Sequence, residues 1–139
     1  MQVRVHLLYV QGGHLLTNTV PGSDFWFLPG GTVALNEDSH TAALREFREE
    51  TGVEATSARL VGISEGFDRQ KKQQQLGLCY RVEAAQPLPQ HSYPVQDHAE
   101  LELQWVPLSE MDTRPVHPRE LGRMLAEGPV VHDVWEVRP

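Results

Sequence analysis

The sequence predicts a mixed α/β sandwich, and three observations carry that reading. The 139 residues are enough for one domain with a proper core and too few for a confident division in two, so residues 1–139 are expected to be a single domain. Strand-type segments stand on both sides of one sharply delimited helix, with helical patterning again towards the C-terminus. No internal repeat and no change of composition marks a linker. That order favours a mixed sandwich over a wound βαβ sheet. With 40% hydrophobic and 22% charged residues the chain should fold in spite of its ten prolines.

The elements follow in order. "VRVHLLYV" (Val3 to Val10) is rich in β-branched and aromatic residues, and Gly12-Gly13 separate it from a hairpin partner, "HLLTNTV". "PGSD" is a turn, and "FWFL" a short strand ended by Pro29. From Asp38 to Thr51 the spacing predicts a helix, with Asp38 or Ser39 as N-cap and Gly52 as a left-handed C-terminal residue. "ARLVGISEGF" and "QLGLCYRVEA" read as a longer antiparallel pair, joined through the basic, solvated tip "DRQKKQQQ". Three prolines in the thirteen residues from Gln86 to His98 predict an irregular loop. "LELQWVPL" restores the strand pattern. A short helix around "SEMDT", a longer one over "PRELGRMLAE" and a late strand in "VVHDVWEV" complete the reading.

Charge and cysteine content exclude several function classes. A formal charge of −7 argues against gripping a nucleic acid polymer through its phosphates, which takes clustered lysine and arginine. Cys79, the only cysteine, rules out an internal disulfide and, within "LGLCYRV", reads as a buried, inert thiol. The N-terminus lacks the pattern of a secretory signal, and no apolar run approaches a membrane span. The expectation is a cytoplasmic protein with no membrane partner.

The stretch "FLPGGTVALNEDSHTAALREFREETGV" (Phe27 to Val53) concentrates the chemistry. At about 100° per residue, Glu46, Glu49 and Glu50 converge on one helix face, while Ala43, Leu44, Phe47 and Thr51 form a neighbouring face able to pack on a sheet. His40 also falls on the packed side. Carboxylates three and four residues apart repel, at a few tenths of a kcal/mol per pair. A divalent cation reverses that sign, and magnesium is commonly held by one or two carboxylates together with substrate phosphates. The bland reading is a solvated acidic face balanced by Arg45 and Arg48.

The spacing decides between them. Gly31, five residues, Glu37, seven residues and "REFREETGV" resemble the Nudix box, G-x5-E-x7-R-E-U-x-E-E-x-G-U with U a bulky apolar residue, at every position. "WFLPGG" before it and "LQWVPLSEM" behind it are similar to stretches found at those places in Nudix hydrolases. The resemblance implies an α/β/α sandwich around a mixed β-sheet. It also implies hydrolysis of a nucleoside diphosphate linked to another group, with Mg2+ or Mn2+. Carried over position by position, Glu46, Glu49 and Glu50 become metal ligands, joined by the Gly31 carbonyl. Arg45 would orient a glutamate, Glu37 would brace the loop through a salt bridge to Arg45, and Gly52 is structural. The resemblance leaves the general base open between a box glutamate and one from a distant loop, with Glu49 or Glu46 favoured. Independently, phosphoanhydride hydrolysis needs positioned water and neutralised charge, and the Pro29-Gly30-Gly31 turn lets backbone approach metal and phosphates closely.

Further candidates lie outside the box. Asp97, Glu100 and Glu102 could supply another carboxylate, with Glu100 ahead. Trp26 either stacks on a nucleobase or belongs to the core with one edge reaching the cleft. Arg4 and His6 alternate with Val3 and Val5 and are expected to face solvent. The seven histidines lack metal-ligand spacing. Asp68, Arg69 and Gln70 stand where the family's ADP-ribose and dinucleoside polyphosphate hydrolases carry a proline or a tyrosine, which leaves nucleoside triphosphates ahead by default. The expected partner is a small nucleotide, and a homodimer is compatible with the sequence.

Overall fold

A computed structural model describes residues 1–95, 98–114 and 116–137. The chain runs β1 (Gln2–Leu8), β2 (Val10–Gln11), β3 (His14–Thr19), β4 (Trp26–Phe27), β5 (Gly30–Thr32), α1 (Ser39–Thr51), β6 (Ala55–Asp68), β7 (Gln73–Ala84), β8 (Tyr93–Val95) and β9 (His98–Pro107). A 3-10 turn at Leu108–Glu110, β10 (Val116–His117), α2 (Leu121–Leu125) and β11 (Val131–Glu136) follow. The first sheet has the order β11-β6-β7-β1-β5. It is mixed: β1 lies parallel to β7 and β11 to β6, while β6 pairs antiparallel with β7 and β5 with β1. The second sheet has the order β10-β4-β3-β9-β8, with β2 attached to β3.

Side-chain alternation explains why the first sheet is covered on both faces. Val5 and Leu7 of β1 and Tyr80 and Val82 of β7 join Ala42, Ala43 and Phe47 of α1 in one buried cluster. Leu8 and Cys79, from the same two strands, join Val61, Val131 and the α2 residues Leu121 and Met124 in another. Successive strand residues point to opposite faces, so one sheet serves both clusters and the layers read α/β/α. Phe47 is fully buried, with Tyr9 edge-on at 5.4 Å. No helix among the described residues is long and apolar enough to cross a membrane.

The central helix forms where its local signals place it. The Asp38 side chain accepts from the Thr41 amide at 2.8 Å, and Gly52 at φ 78° donates its N–H to the Arg48 carbonyl. The β6–β7 pair and β11 also form as the sequence predicts.

Five expectations change. The first segment does not form one hairpin strand: Gln2–Leu8 enters the first sheet beside β7, and only Val10–Gln11 pairs with β3 in the second. The proline-rich segment contains β8, which pairs with β9 at Tyr93↔Leu103 and Pro94↔Glu102. A sheet edge tolerates a residue without an N–H, and β8 is that edge. The last helix spans only Leu121–Leu125, and its N-terminal residue Glu120 makes no side-chain cap. The helix around "SEMDT" is a three-residue 3-10 turn. His40 is exposed, meeting the Tyr80 ring edge-on at 6.1 Å instead of entering the core.

Candidate active site

Helix α1 packs against β1, β5 and β6, which sets its acidic side beside the glycine turn. Gly31 is buried on β5, and a Cβ there would overlap the Glu46 carboxylate. Glycine is therefore the residue that lets Glu46 seat directly against the strand. Its neighbour Gly30, half-buried, pairs with His6 across β1.

Arg45 organises the carboxylates. Its Nε and Nη2 donate to the two oxygens of Glu37 at 2.7 and 2.8 Å, forming a bidentate salt bridge. Its Nη1 donates to Glu46 Oε1 and Glu49 Oε2, each at 3.0 Å. Two of the three helix glutamates thus converge on one cationic nitrogen. Glu37 also accepts from the Ala34 amide at 3.1 Å, tying the loop after β5 to the helix. The Arg45 hydrogen bonds, followed by that amide, hold the Glu37 carboxyl down at about 2. Arg45 is in turn pushed up, chiefly by Glu37.

Glu50 reaches the second sheet. It is 2% exposed and accepts from Asn18 Nδ2 of β3 at 3.2 Å. Sequence reasoning missed Asn18. The signal was the run Thr17-Asn18-Thr19, three polar residues in a strand that are all 2% exposed or less.

The remaining candidates are scattered. Glu100 is exposed on β9, two residues beyond the last β3 pairing at Thr19↔Glu102, and Glu102 accepts from Gln104 at 3.4 Å. Asp97 lies outside the described residues. Trp26 is half-buried: its indole N–H donates to Gln104 Oε1 at 3.0 Å, the Arg114 guanidinium lies 5.0 Å above its ring, and it packs on the α2-side cluster. Cys79 is buried, and burial pushes its thiol up to about 12.

A cavity of about 550 Å³ opens on the sheet face opposite α1, lined by Arg4, His6, Phe25, Phe27 and Trp135 among others. Arg4 and His6, expected to face solvent, are half-buried in its wall. The reason is the period of the strand: Val5 points to the α1 cluster, so its neighbours point here. Burial, helped by the nearby Arg4 charge, lowers the His6 imidazole to about 4, so it is neutral at pH 7. A larger, more open cavity of about 1080 Å³ shares Gln75, Trp135 and Val137 with this one.

The family model of the NUDIX domain matches residues 2–127, which includes every element above except β11. The chain belongs to the Nudix hydrolase family. Among curated proteins, this Nudix domain is 41% identical over 58 residues to Diphosphoinositol polyphosphate phosphohydrolase 2 of Rattus norvegicus, and 40% identical to the human protein of that name. Either match spans only 42% of this chain and 32% of the relative. Among solved structures, a mutator MutT protein from Bacillus halodurans superposes with a TM-score of 0.78 at 18% identity, covering all of this chain and 92% of that one. The MutT Nudix hydrolase from Burkholderia pseudomallei gives 0.68 at 22% identity, over 88% and 95% of the two chains. At such identities these structures establish the shared fold.

Proposed function

We propose that this Nudix domain is a metal-dependent pyrophosphohydrolase that cleaves a phosphoanhydride bond in a nucleoside diphosphate linked to another group, as in a nucleoside triphosphate or a nucleotide conjugate. The single observation that carries this reading is the convergence of Glu46 and Glu49 at 3.0 Å on one Arg45 nitrogen, beside a glycine whose missing Cβ the Glu46 carboxylate occupies. Among the described residues no three acidic, histidine or cysteine side chains form a cage of their own. An all-oxygen donor set of one or two carboxylates suits Mg2+ or Mn2+, which completes its shell with water and phosphate. Glu46, Glu49 and Glu50, with the Gly31 carbonyl, are the residues that would hold it.

When bound, the ion would offset the negative charge gathered on the phosphates. Arg45 keeps Glu46 and Glu49 side by side and keeps the loop closed through Glu37. Glu49 is the more open of the two, with its side chain 39% exposed against 11% for Glu46. It is therefore the better placed to take a proton from water, while Glu46 stays seated against β5.

The relative of 41% identity favours a second reading, in which the phosphoanhydride is carried by a polyol phosphate instead of a nucleoside. Product analysis by mass spectrometry on a panel of nucleoside triphosphates, nucleotide sugars and diphosphoinositol phosphates, following nucleoside monophosphate, sugar phosphate, pyrophosphate and phosphate, separates the two. Turnover is expected with Mg2+ or Mn2+ and lost in excess EDTA and in Glu49→Gln. Binding of a nucleotide with no turnover of any compound would instead make the domain a nucleotide sensor.

A further inference from the structure

Asn18 breaks the apolar row that β3 turns towards α1. Leu16, two residues before it, and Leu103, opposite it on β9, are fully buried members of the α1-side cluster. Strand periodicity puts Asn18 on the same face, where it is 1% exposed. A primary amide buried at such a place costs stability unless its groups find partners. One of them does: Nδ2 donates to Glu50 Oε1 at 3.2 Å. The Oδ1 of the same planar amide is buried and has no hydrogen-bond partner among the described residues.

The strand pairings bring this amide towards the glycine turn. Asn18 also lies opposite Phe27 of β4, and from Phe27 the chain passes through Leu28 and Pro29 into Gly30 and Gly31 of β5. The Pro29 carbonyl accepts from the Leu7 amide of β1 at 2.8 Å, so this is a place where the two sheets are joined. Glu50 reaches the junction from α1 and Asn18 reaches it from β3. Arg45 holds Glu46 and Glu49 through a charged group, whereas Asn18 holds Glu50 through a neutral one. A neutral donor orients a carboxylate without cancelling its charge, which is what a ligand for a cation requires.

We infer that Asn18 is a positioning residue for the divalent cation: its Nδ2 sets the Glu50 carboxylate, and its Oδ1 is presented to the hydrated ion as an acceptor. The inference rests on the metal-dependent reading above and adds to it a residue outside the Nudix box, supplied by the second sheet. An ion such as Mg2+, which keeps several of its waters, needs acceptors around its ligands as well as the ligands themselves. A leucine in place of Asn18 would continue the row of Leu16 and Leu103 and would remove both functions while filling a similar volume.

A buried amide can also serve packing alone, so the test needs a readout that stability does not move. Mn2+ binding to the full chain without substrate is measured by loss of the free-ion EPR signal, at a temperature where every variant is folded. The wild type is compared with Asn18→Leu, Asn18→Asp and Thr17→Val. Asn18→Leu is expected to weaken Mn2+ about 10- to 100-fold, as for loss of a group that orients a metal ligand. Asn18→Asp keeps the oxygen and should bind at least as tightly as the wild type. Thr17→Val removes a neighbouring buried hydroxyl, which donates to the Gln104 carbonyl at 2.9 Å, and should lower the melting temperature without moving Mn2+ affinity. Unchanged affinity in Asn18→Leu overturns the inference whatever its melting temperature, as does equal weakening in Thr17→Val. Asn18→Asp binding as weakly as Asn18→Leu overturns the acceptor role of Oδ1. In the wild type, the Asn18 side-chain amide resonances should shift as Mg2+ is added; if they stay while the backbone amides of α1 shift, the inference fails even where Asn18→Leu does not fold. A wild type that binds no Mn2+ defeats the metal-dependent reading itself, whereas wild-type binding with an indifferent Asn18→Leu defeats only this inference.

Discussion

The two faces of the first sheet do opposite chemistry with the same strands. On the α1 face, Val5 and Gly31 back a helix whose outer side is charged, and Arg45 binds Glu37, Glu46 and Glu49 at 2.7 to 3.0 Å. On the other face, His6, from the same strand, lines a cavity of mixed aromatic and charged wall in which it is neutral at pH 7. The difference teaches that a bridged carboxylate cluster and a cavity that keeps an imidazole neutral can stand one residue step apart along a strand. Substitutions on the first face should strike turnover, and those on the second should show in the acid response.

The largest effect should come from the carboxylates. Glu49→Gln or Glu50→Gln is expected to lower kcat by on the order of 10²-fold or more, as for loss of a proton-transfer or charge-stabilising group. The melting temperature should fall little, since like-charge repulsion on the helix is relieved. A variant that kept near wild-type kcat would remove that glutamate from the site.

Arg45→Gln should be smaller in rate but felt in stability. It leaves Glu37, Glu46 and Glu49 without their shared donor, and a loss of about 1–3 kcal/mol is expected from the broken charged hydrogen bonds. Chemical denaturation together with kcat measures both. Unchanged stability would show that Arg45 does not brace the loop after β5.

Trp26→Ala sharpens the contrast between the faces. As a half-buried member of the α2-side cluster it should cost about 2–3 kcal/mol, below the ~3–5 kcal/mol of a fully buried tryptophan, with KM for a nucleotide nearly unchanged. A several-fold higher KM at constant melting temperature would give Trp26 a stacking role.

The smallest effect is the acid response, and it too divides by face. The His6 value is depressed from 6.5 to about 4, so as pH falls through that window the unfolded chain takes the proton first and stability declines. Glu37 is depressed from 4.5 to about 2, so its contribution is present above the unfolded value and is lost between those limits. Melting temperatures of the wild type and His6→Gln between pH 8 and 3 should diverge first below 6.5. Parallel curves between 6.5 and 4 would show that His6 is not held neutral by the fold.

The sequence by itself determined whatever depends on near neighbours. The α1 boundaries follow from a side-chain acceptor three residues from its amide and from one left-handed glycine. The carboxylate face follows from i, i+3 and i+4 geometry, and the Glu37 to Arg45 bridge spans only eight residues. The β6–β7 pair was readable for the same reason, since its turn is short. Only the tertiary structure decided what depends on register between distant strands. Asn18 meets Glu50 across 32 residues, Trp135 lies on Gly66 because β11 returns parallel to β6, and His6 finds Gly77 because β1 pairs with β7. Pro94 joins a sheet because β9 offers it an edge. Periodicity tells which face of a strand a side chain occupies, but what stands opposite is set by pairings that close loops of tens of residues. No short stretch of sequence encodes those pairings, because their free energy is shared over the whole packed sheet.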